Sequence, residues 1–244
     1  MLAIIGGSGL TQLANLDVSR REAVHTPYGE PSGPLTFGTI RGVRVMFLAR
    51  HGYEHTIPPH QVNYRANLWA LKEQGAREIV SVVSVGGIRQ DLGPGKIVVP
   101  HQIIDYTWGR MHTFFENGAP VKHIDFTEPY TAALRARLLA AAGKSGESAG
   151  DGAVYAATQG PRLETAAEID RMERDGADIV GMTGMPEAGL AREIELDYAA
   201  VAVVVNHAAG RADSARGIQM RQIEKILDET MGRVRRIVDS LVGA

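Results

Sequence analysis

The stretch Val43-Arg-Val-Met-Phe-Leu-Ala-Arg-His-Gly-Tyr-Glu-His-Thr-Ile-Pro-Pro-His60, continuing through Asn63-Tyr-Arg-Ala-Asn67, decides how this chain is read. Val43 to Leu48 is apolar and β-branched enough for a strand, and Tyr64 to Gln74 has the spacing of a helix. A strand, a polar turn and a helix in that order are the unit of an α/β fold. Two chemistries compete in the turn. His51, His55 and His60, three of the chain's eight histidines, suggest a metal. Arg50-His51 stands at a strand's end, where open α/β sheets bind their ligands, and suggests an anion. The metal reading fails on ligand supply. His51 and His55 have i, i+4 spacing, but Gly52 and Pro58-Pro59 make a continuous helix there untenable.

Outward from this stretch, strands and helices alternate. Leu2 to Ile5 reads as a buried strand running into Gly6-Gly7-Ser8-Gly9. Such a turn exposes backbone N–H groups and suits a phosphate; a plain tight turn is the other reading. It lacks the third glycine of a dinucleotide site. Further strands are expected at Pro34 to Ile40, Ile79 to Val85, Ile97 to Ile104, Gly152 to Thr158, Ile179-Val180 and Tyr198 to Val205. Ile79 to Val85 is a continuous run and should be buried on both faces. Helices are expected at Pro129 to Ala142, Thr165 to Arg174, Pro186 to Ile194 and Gln219 to Leu241. Thr165 and Glu168 have capping-box spacing. Asp105 to Asp125 is long, irregular and aromatic, as functional loops are. The expected architecture is one α/β domain over residues 1–244 with a largely parallel or mixed sheet.

Composition sets the outer limits. The 244 residues carry a net charge of −2, which offers no basic surface for nucleic acid. With no cysteine there is no disulfide scaffold, no thiolate zinc site and no thiol nucleophile. The longest apolar run, Tyr198 to Val205, is far below the ~20 residues of a membrane span. No leader is expected at Met1-Leu-Ala-Ile-Ile. The expectation is a soluble, cytoplasmic protein.

Five strand ends carry glycine or polar signatures: Gly6-Gly-Ser-Gly9, Arg50-His51, Gly86-Gly87, Met182-Thr183 and Asn206. Together with Asn63-Tyr-Arg-Ala-Asn-Leu-Trp-Ala-Leu71, Gln159-Gly-Pro-Arg162 and Met185-Pro-Glu187, they resemble the purine nucleoside phosphorylase family, closest to its methylthioadenosine and methylthioinosine branch. The resemblance runs from Ile4 to the terminal helix, and Ala49 to Leu71 is its most specific part. It implies a single α/β domain with a central mixed sheet flanked by helices, a homotrimer with sites near the subunit interface, and no metal or organic cofactor. It also implies cleavage of an N-glycosidic bond by inorganic phosphate.

That reaction passes through a sugar with oxocarbenium character. Its site must hold phosphate below C1′ and stabilise negative charge on the departing base. By resemblance, Ser8, Arg50, His51, Thr183 and the backbone near Ser84 hold phosphate. Arg50 brings a fixed charge and forked donors, and His51 donates through one nitrogen. Met182 faces the ribose, although a methionine is also a common core filler. Val85, Gly86, Leu163, Asn206 and the position of Ala208 surround the purine. Glu164 is a candidate acceptor for N1–H; a solvent-facing carboxylate is the plainer reading.

Asn206 points to the base. The methylthioadenosine branch carries Asp-x-Asp at this strand end, where this chain has Asn206-His207-Ala208. A carboxylate only accepts, whereas an amide both donates and accepts. A 6-oxo group wants a donor, and more so as charge builds in the transition state, which makes Asn206 the expected catalytic group for a 6-oxopurine. For the sugar's 5′ end, alignment places Ile218, Met220 and Ile223 in an apolar pocket. His123 matches a histidine that relatives extend across the subunit interface. These favour methylthioinosine over inosine. Methylthioadenosine phosphorolysis, inosine/guanosine phosphorolysis and a non-catalytic nucleoside-binding protein are the alternatives.

Overall fold

A computed structural model of the chain describes residues 1–116 and 118–243. Eleven strands form one mixed sheet: β1 Leu2–Gly6, β2 Asp17–Glu22, β3 Leu35–Ile40, β4 Val43–Ala49, β5 Glu78–Gly87, β6 Ile97–Val99, β7 Gln102–Asp105, β8 Gly150–Asp151, β9 Val154–Ala157, β10 Ile179–Gly181 and β11 Asp197–His207. Five α-helices accompany them: α1 Tyr64–Glu73, α2 Ala132–Lys144, α3 Ala166–Arg174, α4 Gly184–Glu193 and α5 Met220–Val242. One path through the sheet runs β2-β3-β4-β1-β5-β10-β9-β7, and β11 joins β5 to β6 and β8.

Alternation along the central strands divides the core in two. Ile4 of β1 with Val80 and Val82 of β5 faces α2 and α5, packing with Leu134, Leu138, Met231, Val234 and Ile237. Ala3 and Ile5 with Ile79 face the opposite way, toward Leu68 and Leu71 of α1 and Ala188 and Leu190 of α4. β5 is thus buried on both faces, as its unbroken apolar run requires. Asn63 caps α1 by accepting from the Ala66 N–H at 3.1 Å. Thr165 and Glu168 form the capping box expected for α3.

Two sequence expectations change. The run Ile97 to Ile104 is two strands, broken at Pro100-His101. β6 lies antiparallel to β11, whereas β7 lies parallel to β9. Pro100 has no N–H to give a ladder, so the chain leaves one pairing there and enters another. β2 carries Asp-Val-Ser-Arg-Arg-Glu, with no apolar alternation to betray it. It is an edge strand paired only with β3 among the described residues, and its charges suit an edge. Among the described residues, no helix is long and apolar enough to cross a membrane.

Candidate active site

The sheet is incomplete in the middle. One edge of β5 pairs with β11 along its whole length, from Glu78 to Gly87. The other edge meets β1 only at Glu78 to Ser81 and β10 only at Gly86-Gly87. Between them, this edge of Val82 to Val85 pairs with no strand among the described residues. β1 stops there in its glycine turn, and β10, antiparallel to β5, carries Met182-Thr183 back toward the same opening. Strand ends thus diverge at this open edge, and strand ends are where open α/β sheets bind their ligands.

The glycine turn and Arg50 meet at the mouth of this gap. The Arg50 N–H donates to the Gly6 carbonyl at 2.9 Å, and Arg50 Nη1 donates to the Val82 carbonyl at 3.2 Å. A Cβ on Gly7 would lie 2.6 Å from the Val82 oxygen and 2.9 Å from Nη1, so only glycine lets the turn sit this close. Ser8 Oγ is 3.0 Å from His55 Nε2, and the His55 ring is 4.9 Å from that of His51. Thr183 is buried, and its N–H donates to the Tyr155 hydroxyl at 3.3 Å. Ser84 is half-buried on the open edge of β5.

Arg50 differs from its expected role. It is 1% exposed, and its fork grips Glu187, not the crevice. Nε donates to Oε2 at 2.7 Å and Nη2 to Oε1 at 3.0 Å. Burial alone would lower the Arg50 pKa; the charge and hydrogen bonds of Glu187 outweigh it and raise it above the ordinary value. Burial likewise opposes ionisation of Glu187, but Arg50, Ser81 and Tyr198 hold its pKa below the usual range.

His51 also needs correcting as a donor. Its Nδ1 lies 2.8 Å from the Ile57 carbonyl, which can only accept. Burial, then the Arg50 charge, lowers its pKa to about 4. The donor nitrogen is therefore spent inside the protein, and Nε2 offers a lone pair at neutral pH. His55 is the partner of Ser8.

At the other end of the gap, β11 skips one residue between Val204 and Asn206, placing Asn206 opposite Gly86. Such a bulge re-aims a side chain. Asn206 Nδ2 donates to the His207 carbonyl at 2.6 Å, leaving Oδ1 and one N–H uncommitted. Val85 and Gly86 are buried beside it. Ala208 is 1% exposed, in an apolar cluster with Ile88, Met172 and Val180. It forms the wall behind Gly86; a Cβ on Gly86 would stand 3.4 Å from its Cα.

Gly160 backs onto Met182, with a φ of 61° and room for no Cβ, which would lie 2.4 Å from Met182 Sδ. Glu164 accepts from Thr158 Oγ1 at 2.7 Å, and burial raises its pKa. It lines a cavity of about 460 Å³ with Trp108, Thr158, Gln159 and Gly160. Leu163, 39% exposed, stands next to it in the chain.

The structure draws the start of α5 toward the glycine turn. A Cβ on Gly9 would lie 2.5 Å from Leu227 Cγ, and Ile223, one turn earlier, packs against the same core. Ile218 is half-buried just before α5, and Met220 is 58% exposed on its first turn. His123 is not brought to this group. The neighbouring Lys122 is tied to the Glu193 carbonyl at 2.8 Å, at the far end of α4 from Thr183. His123 itself is exposed beside it.

Sequence reasoning missed Arg110. It is 7% exposed in the irregular loop, yet donates to the carbonyls of Thr158, Gln159, Met182 and Met185 at 3.2, 2.9, 2.8 and 2.5 Å. One side chain thus ties the Thr158-Gln159 segment to the Met182–Met185 segment. No periodicity signals it. Among the described residues, no group of three or more His, Asp or Glu side chains is placed to hold a metal ion.

Residues 1–243 match the family model described as the phosphorylase superfamily. A chain from Pseudomonas syringae pv. tomato named "Probable S-methyl-5'-thioinosine phosphorylase" is 56% identical over 99% of this chain and 98% of its own length. The "6-oxopurine nucleoside phosphorylase" of Pyrococcus furiosus is 46% identical over 86% of this chain and 80% of its own. Among solved structures, methylthioadenosine phosphorylase from Schistosoma mansoni in complex with adenine superposes with a TM-score of 0.94. It is 32% identical, with 99% of this chain and 90% of that one covered.

Proposed function

The chain belongs to the phosphorylase superfamily, and from that premise we propose that it cleaves the N-glycosidic bond of a 6-oxopurine nucleoside with inorganic phosphate. The substrate that fits best is S-methyl-5′-thioinosine, giving hypoxanthine and 5-methylthioribose 1-phosphate in purine salvage. As the C1′–N9 bond breaks, a phosphate oxygen closes on C1′. The proton lost by hydrogen phosphate balances the one gained by the purine. Ser8, Arg50 Nη1, His51 and Thr183 hold the phosphate, with backbone near Ser84. Met182 lies against the ribose, and Val85, Gly86, Leu163 and Glu164 surround the base. Inorganic phosphate is a co-substrate, and no metal or organic cofactor takes part.

The observation that carries this reading is Asn206 opposite Gly86, next to a bulge in β11, with its Oδ1 and one N–H free of the recorded hydrogen bond. Its amide can donate to O6 or N7 as negative charge develops, which a carboxylate cannot do. Glu164, which lines the cavity and accepts from Thr158 Oγ1, is the proposed acceptor for N1–H. For the 5′ substituent, Ile218, Met220 and Ile223 supply apolar surface suited to a thiomethyl group. His123 is exposed, and in a homotrimer it would reach a neighbour's site. The setting is the cytoplasm, and one phosphorylase domain accounts for the whole chain.

Turnover of methylthioinosine, methylthioadenosine, inosine and adenosine, each with and without phosphate, tests the proposal. Methylthioinosine should be the best substrate, with no product when phosphate is left out. Preference for methylthioadenosine would overturn the role of Asn206, and preference for inosine the thiomethyl pocket. No turnover of any of the four would favour a binding protein.

A further inference from the structure

The guanidinium of Arg50 has five N–H groups, and four are already committed. Nε–H and one Nη2–H go to Glu187. The second Nη2–H goes to Ser81 Oγ at 2.6 Å, and one Nη1–H to the Val82 carbonyl. The remaining Nη1–H emerges beside Gly7, where the glycine turn packs against the same nitrogen. Glu187 is itself held in place. Ser81 Oγ donates to Oε1 at 2.7 Å, and the Tyr198 hydroxyl also donates to Oε1, at 2.8 Å. All four of these side chains are buried, and Glu187 lies 137 residues from Arg50 in the chain.

The geometry points to Glu187 as a positioning residue: it turns the Arg50 fork away from the crevice, so that a single Nη1–H meets the phosphate. This rests on the phosphorolysis reading and adds to it the orientation of its main cation. An unclamped arginine grips a phosphate bidentately through two parallel N–H groups. Here that fork is spent on a carboxylate behind the site. The phosphate is left with one directed donor at a fixed height, beside the Gly7-Ser8 turn. The arrangement exchanges grip for placement, which serves an attacking nucleophile better than a tightly held anion.

The test is Glu187→Gln with steady-state kinetics in both substrates. If the amide oxygen keeps Ser81, Tyr198 and Nη2, its NH2 must face the Nε–H, and the guanidinium is forced to tilt. The expected result is a loss of at least tenfold in kcat/KM for phosphate, with the nucleoside KM within twofold of the parent. Glu187→Asp, which keeps the charge, should recover part of that loss. A folded Gln variant with phosphate kcat/KM within threefold of the parent, or with tighter phosphate binding, overturns the assignment. So does an equal rise in both KM values, which marks a merely structural role. If the Gln variant does not fold, Tyr198→Phe, which removes one donor to Oε1, decides it. A threefold or greater loss confined to phosphate supports the clamp, and no change overturns it. A parent chain that needs no phosphate overturns the functional reading and this proposal together. A phosphate-dependent parent with unaffected variants overturns this proposal alone.

Discussion

His51 Nδ1 donates to the carbonyl of Ile57 at 2.8 Å, and this contact sets what His51 can offer a ligand. With its pKa lowered to about 4, first by burial and then by Arg50, the ring is neutral at working pH and presents Nε2 as an acceptor. Hydrogen phosphate keeps an O–H to give it; sulfate has none. Sulfate should therefore be a poor competitor, with an inhibition constant at least tenfold above the phosphate KM at pH 7. Equal constants for the two anions would remove the acceptor role.

The same histidine couples stability to pH. Its folded pKa of about 4 lies below the unfolded value of roughly 6.5, so the unfolded chain binds more protons between them. The contribution is complete above that unfolded value and is lost as pH falls toward 4. It is on the order of 3 kcal/mol at most. Urea unfolding at pH 7.5 and pH 5 should show a smaller difference in His51→Gln than in the parent. An identical difference would assign the effect to other groups.

Arg110→Met should cost about 3 kcal/mol, because carbonyls at Thr158, Gln159, Met182 and Met185 lose a charged donor inside the protein. Thermal melts measure the loss. The nucleoside KM should rise with it if Met182 and Glu164, next to the two released segments, meet the sugar and base as proposed.

Gly7→Ala should abolish phosphate-dependent turnover, since its methyl would press on the Val82 oxygen and on Arg50 Nη1. Gly143→Ala is the control. That glycine lies in α2 with nothing within 4 Å of its would-be Cβ, and alanine there should stabilise by roughly 0.5–1 kcal/mol. Comparable activity in the two variants would discount the close approach at Gly7.

Asn206→Asp should lower turnover of 6-oxopurine nucleosides at least a hundredfold, with less effect on binding of the sugar. Adding Ala208→Asp places a carboxylate in the cluster of Ile88, Met172 and Val180, and should lower stability by at least about 2 kcal/mol. Kinetics on the single variant and melts on the double separate the two effects. Unchanged 6-oxopurine turnover in Asn206→Asp would exclude the amide as the discriminating group.

Much of the site was legible because its parts lie at strand ends, and strand ends are marked locally. Gly6-Gly-Ser-Gly9, Arg50-His51 and Met182-Thr183 each follow an apolar run. Thr165 and Glu168 announced their own capping box. What escaped was whatever depends on a distant partner. Glu187 stands in an apolar helix, but nothing near it in sequence names Arg50 as its mate. Arg110 sits in a segment without periodicity and binds only carbonyls, which every residue has. β2 lacked the apolar alternation that signals a strand, since its faces are exposed.

The edge of β5 left open between β1 and β10 also says when the site can come into being. One side of the opening is laid down within the first 50 residues, the other only when β10 and β11 have docked from the last third of the chain. Ser8, Arg50 and His51 can be close together in an N-terminal half that has begun to fold. Without Glu187 and Tyr198, though, the guanidinium has no clamp and the opening no far wall. Affinity for phosphate should thus appear late and all at once during refolding, making the anion a probe of the completed sheet.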